Sequence, residues 1–233
     1  GLEVGGGGGR IAVLCDTIGM DAANMTAFGG LGTNASGGNG TVYLRQRQQA
    51  LGDLVIDGSA GDTPSDSTPI PAGLEFQNLT LRNRARVVCA DPLIVHNDLQ
   101  IVSGSVLTHP ATSTTGLQIT AKNIVIDSTS KIDVTGRGYR GGRQPGNDAY
   151  NEGRTLGGVQ GARYRSGGSY GGLGGVVDGA GPNPAYGHPA QPYYLGSGGS
   201  CGAYNAAGGN GGGRVKLVVQ QTLTIDGSIL ANG

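Results

Sequence analysis

The segment LQITAKNIVIDSTSKIDVTG (Leu117–Gly136) holds three short apolar clusters, at Leu117, Ile124 and Ile132, separated by Lys, Asn, Asp, Ser and Thr. In Leu117–Ile119 apolar and polar residues alternate, which puts Leu117 and Ile119 on one face of a strand. The abundance of Ile, Val and Thr, with Asp, Asn, Ser and Gly in the gaps, argues against a helix.

Outward from this segment the same triplet recurs as LVI (Leu54–Ile56), LTL (Leu79–Leu81) and LQI (Leu99–Ile101), with successive starts 25, 20 and 18 residues apart. A second apolar segment follows each of the last three triplets, at Val87, Val106 and Ile124, and a third appears near Leu93 and Ile132. Strands this short, with a coil period near twenty, predict an all-β chain folded as a right-handed parallel β-helix, a solenoid with a long glycine- and tyrosine-rich insert. Each coil buries its Leu, Ile and Val against equivalent positions of the next, about 4.8 Å away.

Internal similarity supports a stack. NIVIDSTSKIDVTG (Asn123–Gly136) and TLTIDGSILANG (Thr222–Gly233) share one scheme, and GGGGGRIAVL (Gly5–Leu14), GGNGTVYL (Gly37–Leu44) and GGNGGGRVKL (Gly208–Leu217) share another, in which glycines run directly into a strand as corners do. Placed head to tail, DGSILANG and GLEVGGGGGRIAVL read as an ordinary coil boundary, so the expectation is a protein that continues at both ends or meets further copies of itself.

Glycine supplies 48 of 233 residues, without the G-X-Y period that collagen needs. From Gly136 to Gly213 the strand pattern fades, and this stretch carries eight of the nine tyrosines. The predicted organisation is therefore β-helical coils over 1–135, an ordered insert packed on the solenoid over 136–213, and a return to the β-helix over 214–233. Glycine permits close backbone approach and tight reversals, and tyrosine rings cover large areas with few rotatable bonds.

Sixteen basic and sixteen acidic residues balance, which gives no net field toward nucleic acid or anionic membrane, and no apolar run is long enough for a membrane span. Cys15, Cys89 and Cys201 allow one disulfide with one buried thiol, or three unpaired thiols.

VTGRGYRGG (Val134–Gly142), GGSYGGLGG (Gly167–Gly175), LGSGGS (Leu195–Ser200), GGNGGGRVKL and IDGSILANG together resemble the glycine-rich segments of large bacterial surface and secreted proteins with β-helical, adhesin-like regions. The resemblance implies an extracellular or cell-surface location and a structural or adhesive role. It brings no catalytic residue with it. Ser200 departs from the pattern, where a further glycine is expected, and so does Cys201.

A β-helix also serves polysaccharide lyases and hydrolases, so an enzyme is the alternative. Glycoside hydrolysis needs paired carboxylates, for which Asp127 with Asp133, and Asp178, are the candidates; Asp57, Asp127 and Asp226 equally read as turn caps after a strand. His188 sits among tyrosines, while His96 and His109 are remote from it and suggest no metal triad. No cofactor is expected beyond calcium at Asp16, Asp21, Asp62 or Asp66, and no calcium-loop motif is present.

Arg137, Arg140, Arg143, Arg154, Arg163 and Arg165 make the first half of the insert basic. Over tyrosine rings they act as internal cation–π braces; turned outward they would grip polyanions beside aromatic platforms. The candidate ligand-binding face is Tyr170, Tyr186, Tyr193 and Tyr194 with Arg163 and Arg165, its expected partner a surface polysaccharide.

Overall fold

A computed structural model describes residues 3–58, 67–177, 181–202 and 206–233. The described chain is all-β. Its strands are β1 (Arg10–Cys15), β2 (Thr41–Gln46), β3 (Asp53–Asp57), β4 (Thr68–Ile70), β5 (Glu75–Phe76), β6 (Leu79–Arg82), β7 (Arg86–Cys89), β8 (Leu93–Ile101), β9 (Val106–Thr108), β10 (Leu117–Ile126), β11 (Lys131–Asp133), β12 (Val215–Ile225) and β13 (Ser228–Leu230). They form two sheets, one ordered β1-β2-β3-β6-β8-β10-β12 with β5 beside β8, the other β13-β11-β9-β7-β4. The chain divides into two compact units: one of Gly1–Thr108, Ile119–Asp133 and Leu217–Ile229, the other of His109–Gln118, Val134–Lys216 and Leu230–Gly233.

In the first unit, strands from β6 onward alternate between the sheets; β6 to β9 each pair in parallel with the strand two places along the chain, and β12 and β13 lie beside β10 and β11. The register brings like residues onto one another. Ile56 faces Leu81, Leu81 faces Ile101, and Ile101 faces Ile126; beside that row run Leu54, Leu79, Leu99 and Ile124. The second sheet adds Val87, Leu107 and Ile132. Nearly all these side chains are fully buried, so the core consists of rows of branched apolar residues, the contribution expected from period-two alternation. Only β2 and β3 pair antiparallel among the strand registers described.

The triplets do not map one to one onto coils. Leu93 and Leu99 share the single strand β8, and Leu117 and Ile124 share β10, which pair throughout apart from a register shift between Ala121 and Asn123. Hence Ile124 stacks on Leu99 in the same sheet, and does not open a second face after Leu117. The bend needs no chain break because side chains take up the polar groups there. Asn78 Nδ2 donates to Asp53 Oδ1 (2.7 Å), Asp98 N–H to Asn78 Oδ1 (3.2 Å), Asn123 Nδ2 to Asp98 Oδ1 (2.8 Å) and Thr222 N–H to Asn123 Oδ1 (3.2 Å). This ladder ties five successive passes of the chain together.

The glycine tracts are not corners but extended segments bonded to one another. Near the N-terminus Gly5 and Gly8 N–H donate to Ala35 and Gly38 O, while Gly37 and Gly40 N–H donate to Gly30 and Ala27 O. Each pair of bonds advances three residues on both segments. Three residues per turn is the period of a polyproline-II-type helix, which makes no bonds within itself and offers its backbone to neighbours.

The second unit uses the same rule on a larger scale. Around Leu195–Cys201, Tyr139 and Gly142 N–H donate to Gly196 and Gly199 O; Gly198 and Cys201 N–H donate to Arg154 and Asn151 O; Gly196 and Gly199 N–H donate to Gly212 and Gly209 O. Three backbone neighbours thus contact one central segment every third residue, and a fourth, at Ser166, accepts from Ser200 N–H. A Cβ at Gly198 would overlap the Arg140 carbonyl, and one at Gly211 the Gly196 carbonyl. In this unit backbone packs against backbone, a role only glycine fills at those positions.

Candidate functional site

Among the described residues, the strongest concentration of exposed aromatic surface beside a cleft lies in the second unit, on the loops leading into Leu195–Cys201. Asn183 fixes one wall: Ser169 N–H donates to its Oδ1 (3.0 Å), and its Nδ2 donates to the carbonyls of Ser169 and Pro184. Gly187, at φ +90°, lies against the Tyr170 ring where a Cβ would collide with Cε2. This is a place where the backbone angle and the close approach both require glycine.

Tyr170 and Tyr186 then meet with ring centroids 5.0 Å apart and planes tilted by 53°, and Tyr194 meets Tyr186 edge-on at 6.1 Å. Tyr186 is the anchor. Its hydroxyl donates to Leu195 O (2.5 Å) and lies 3.0 Å from Ser197 Oγ, which is itself 2.7 Å from Thr155 Oγ1. Burial raises the Tyr186 pKa, so the phenol stays protonated.

Beside these rings the turn His188–Gln191 closes the cleft. Ala190 N–H donates to His188 Nδ1 (3.2 Å), so the proton of the neutral ring sits on Nε2. Tyr193 donates its hydroxyl to Gln191 Oε1 (2.8 Å), and the buried Arg214 holds the Tyr193 carbonyl through Nη1 (2.5 Å). Tyr170, Tyr186, His188, Pro189 and Pro192, with Gly171, Ala185 and Gly187, line a cleft of about 410 Å³, and among the described residues no carboxylate, Lys or Arg stands in its walls. Such a mainly apolar concavity with a few polar atoms is the usual form of a small-ligand site.

The structure therefore joins Tyr170, Tyr186 and Tyr194, and sets Tyr193, 52% exposed, next to them in the chain. Arg163 and Arg165 are exposed in the turn that Ser166 closes by accepting from Arg163 N–H and donating to Arg163 O, and are not among the residues that line the cleft. The cation–π brace of this unit is Arg154 over Tyr150, at 4.1 Å from the ring centroid. Pro189 and Pro192 carry no sequence signal of their own; their role depends on the turn that folds them toward Tyr170.

The acidic candidates have other partners. Asp127 accepts from Ser103 N–H (2.6 Å) and Thr129 N–H (3.0 Å); desolvation raises its pKa, but hydrogen bonds from Ser103, Ser130 and Thr129 outweigh it and hold the carboxyl below its usual value. Asp133 binds Lys131 Nζ (2.7 Å), and the buried Asp57 binds Arg82 (2.6 Å) and Asn83 (2.8 Å). Asp16 pairs with Arg47 at the surface and Asp21 caps a short 3-10 turn. Asp62, Asp66 and Asp178 lie outside the described residues. Among the described residues no cluster of His, Cys, Asp or Glu has metal-binding geometry, the three cysteines are free thiols, and no helix is long and apolar enough to cross a membrane.

His109, fully buried, shows how the second unit uses a histidine structurally. Its Nδ1–H donates to Pro110 O (2.7 Å) and its Nε2 accepts from Arg214 N–H (3.3 Å). Desolvation lowers its pKa and nearby Arg137 and Arg214 lower it further, against the opposing bond to Pro110, so the ring is neutral. Compared with known proteins, the chain matches no family model, no curated protein and no solved structure.

Proposed function

We propose that this chain is a structural and adhesive segment of an extracellular surface or fibre-forming protein, built as a right-handed parallel β-helix that extends by stacking further coils. The alternation of parallel strands between two sheets supports the helix, and parallel crossovers are right-handed in about 98% of cases. One observation carries the assembly. Asp226 N–H donates to Ile126 O as Asp127 N–H donates to Ile101 O, so Ile225 continues the row Ile56–Leu81–Ile101–Ile126, yet it is 41% exposed, and Leu223 is 44% exposed. Among the described residues strand β12 thus presents core residues and a backbone edge with no strand beside it, the two features that recruit another strand.

The occupant proposed is the N-terminal coil of a second copy. GGGGGRIAVL repeats the pattern of GGNGGGRVKL, and within the chain that segment already pairs in parallel with a glycine-led strand, Arg10 facing Thr41. A head-to-tail contact of this kind does not close, and so forms filaments. Sedimentation and electron microscopy over a concentration series test it. Concentration-dependent rods that disappear in Ile225→Asp support the proposal, and a monomer at every concentration overturns assembly. Adhesion, in this reading, falls to the tyrosine cleft, with surface polysaccharide as partner. The enzyme reading needs two carboxylates directed at one sugar, and Asp127 is engaged with its own turn while Asp133 binds Lys131 of the same strand.

A further inference from the structure

Resting on the glycan-binding part of that reading, we infer that the cleft between Tyr170, Tyr186, His188, Pro189 and Pro192 takes a neutral pyranose, not an acidic sugar. Three observations lead there. Its walls are aromatic rings and proline rings, surfaces that pack against the C–H face of a sugar. The hydrogen-bonding groups at hand are uncharged ones that suit sugar hydroxyls: the His188 Nε2–H, left available because Nδ1 accepts from Ala190, and the backbone at Gly187.

The third observation is that among the described residues no cation lines the cleft. A uronate or sulfate placed there would lose water without gaining an ionic partner, which is costly in a cleft of this composition. Arg214 is buried, holds the Tyr193 and Thr114 carbonyls through Nη1, and is not among the residues that line the cleft. Arg163 and Arg165 do not line the cleft. Shape adds to the argument. Tyr186 cannot swing aside without losing its bonds to Leu195 and Ser197, and Gly187 holds Tyr170 in place, so the platform is preorganised.

The test titrates the purified chain with cellotetraose, as a neutral probe, and with trigalacturonate, by calorimetry and saturation-transfer NMR. Saturable binding of cellotetraose is expected, at least tenfold tighter than trigalacturonate. Tyr170→Ala should weaken it more than tenfold, Tyr170→Phe by no more than threefold, and His188→Gln, which keeps a donor near Nε2, by less than His188→Phe. Amide spectra of Gly196–Ser200 report whether each variant keeps its fold; a variant that unfolds is replaced by Pro189→Ser, which trims the same wall.

Trigalacturonate binding as tight as cellotetraose, and lost in Tyr170→Ala, overturns the neutral-sugar inference while leaving glycan binding in place. Binding of neither probe overturns both. Cellotetraose binding indifferent to Tyr170 and His188 moves the site elsewhere and overturns the inference.

Discussion

The two units make a core in opposite ways. In the strand-stacked unit from β6 onward, side chains do the filling: Leu81, Leu99 and Ile124 sit in rows and the backbone ladders only set their spacing. In the glycine unit the backbone itself is the filling, and the Leu195–Cys201 segment meets neighbours on three sides through bonds repeated every third residue. Apolar burial contributes about 25 cal/mol per Å² and tolerates modest reshaping. Contacts between two main chains have no rotamer with which to adjust. The first kind of core is therefore weakened most by removing atoms, the second by adding them.

That contrast can be broken or sharpened by substitution, taking the largest effect first. Leu81→Ala should destabilise the strand unit by about 3 kcal/mol, the usual cost of a cavity at a fully buried leucine, read from the denaturant midpoint or from exchange of the β6 and β8 amides. Gly198→Ala, which adds only one methyl, should cost about 2 kcal/mol in the glycine unit, seen as lost protection of the Gly198 and Arg154 amides. A neutral outcome would show that the bundle is loose, and the contrast would fail. Asn78→Ala removes two rungs of the polar ladder and should cost about 1 kcal/mol.

The histidine supplies a pH test of the same unit. Its folded pKa lies below 6.5, so the folded state binds fewer protons than the unfolded one once the pH falls below that value. Stability from His109 is complete above pH 6.5 and is lost as the pH falls from there through the folded pKa. Protection of the Arg214 amide should decline over that window and become independent of it in His109→Gln. The smallest effect is expected at Gly209, where a Cβ meets nothing within 4 Å: Gly209→Ala should be neutral or stabilising by about 0.5 kcal/mol through the unfolded chain.

Much of the strand unit was legible because alternation is local. Leu79–Leu81 and Leu99–Ile101 announce a strand and its inward face within three residues, and their spacing of 20 is the register observed. The joining of Leu117 to Ile124 in one strand was not legible, since it depends on Asn123 reaching Asp98 on another pass of the chain. The candidate site was legible as residue types. Four tyrosines could be named, but which of them meet was settled by Asn183 and Gly187, and the arginines grouped with them are not among the residues lining the cleft.

Composition and periodicity thus determined by themselves that this chain is β-structured and that Leu, Ile and Val stack in successive passes, while for the glycine tract they indicated only that close backbone approach was permitted. Tertiary structure alone decided which glycines meet, because a residue without a side chain carries no pattern naming its partner. Gly198 finds Arg154 through backbone atoms identical at every position. The same dependence holds for the cleft. Tyr170, Tyr186 and His188 become one surface only after those anonymous bonds have fixed the segments that carry them.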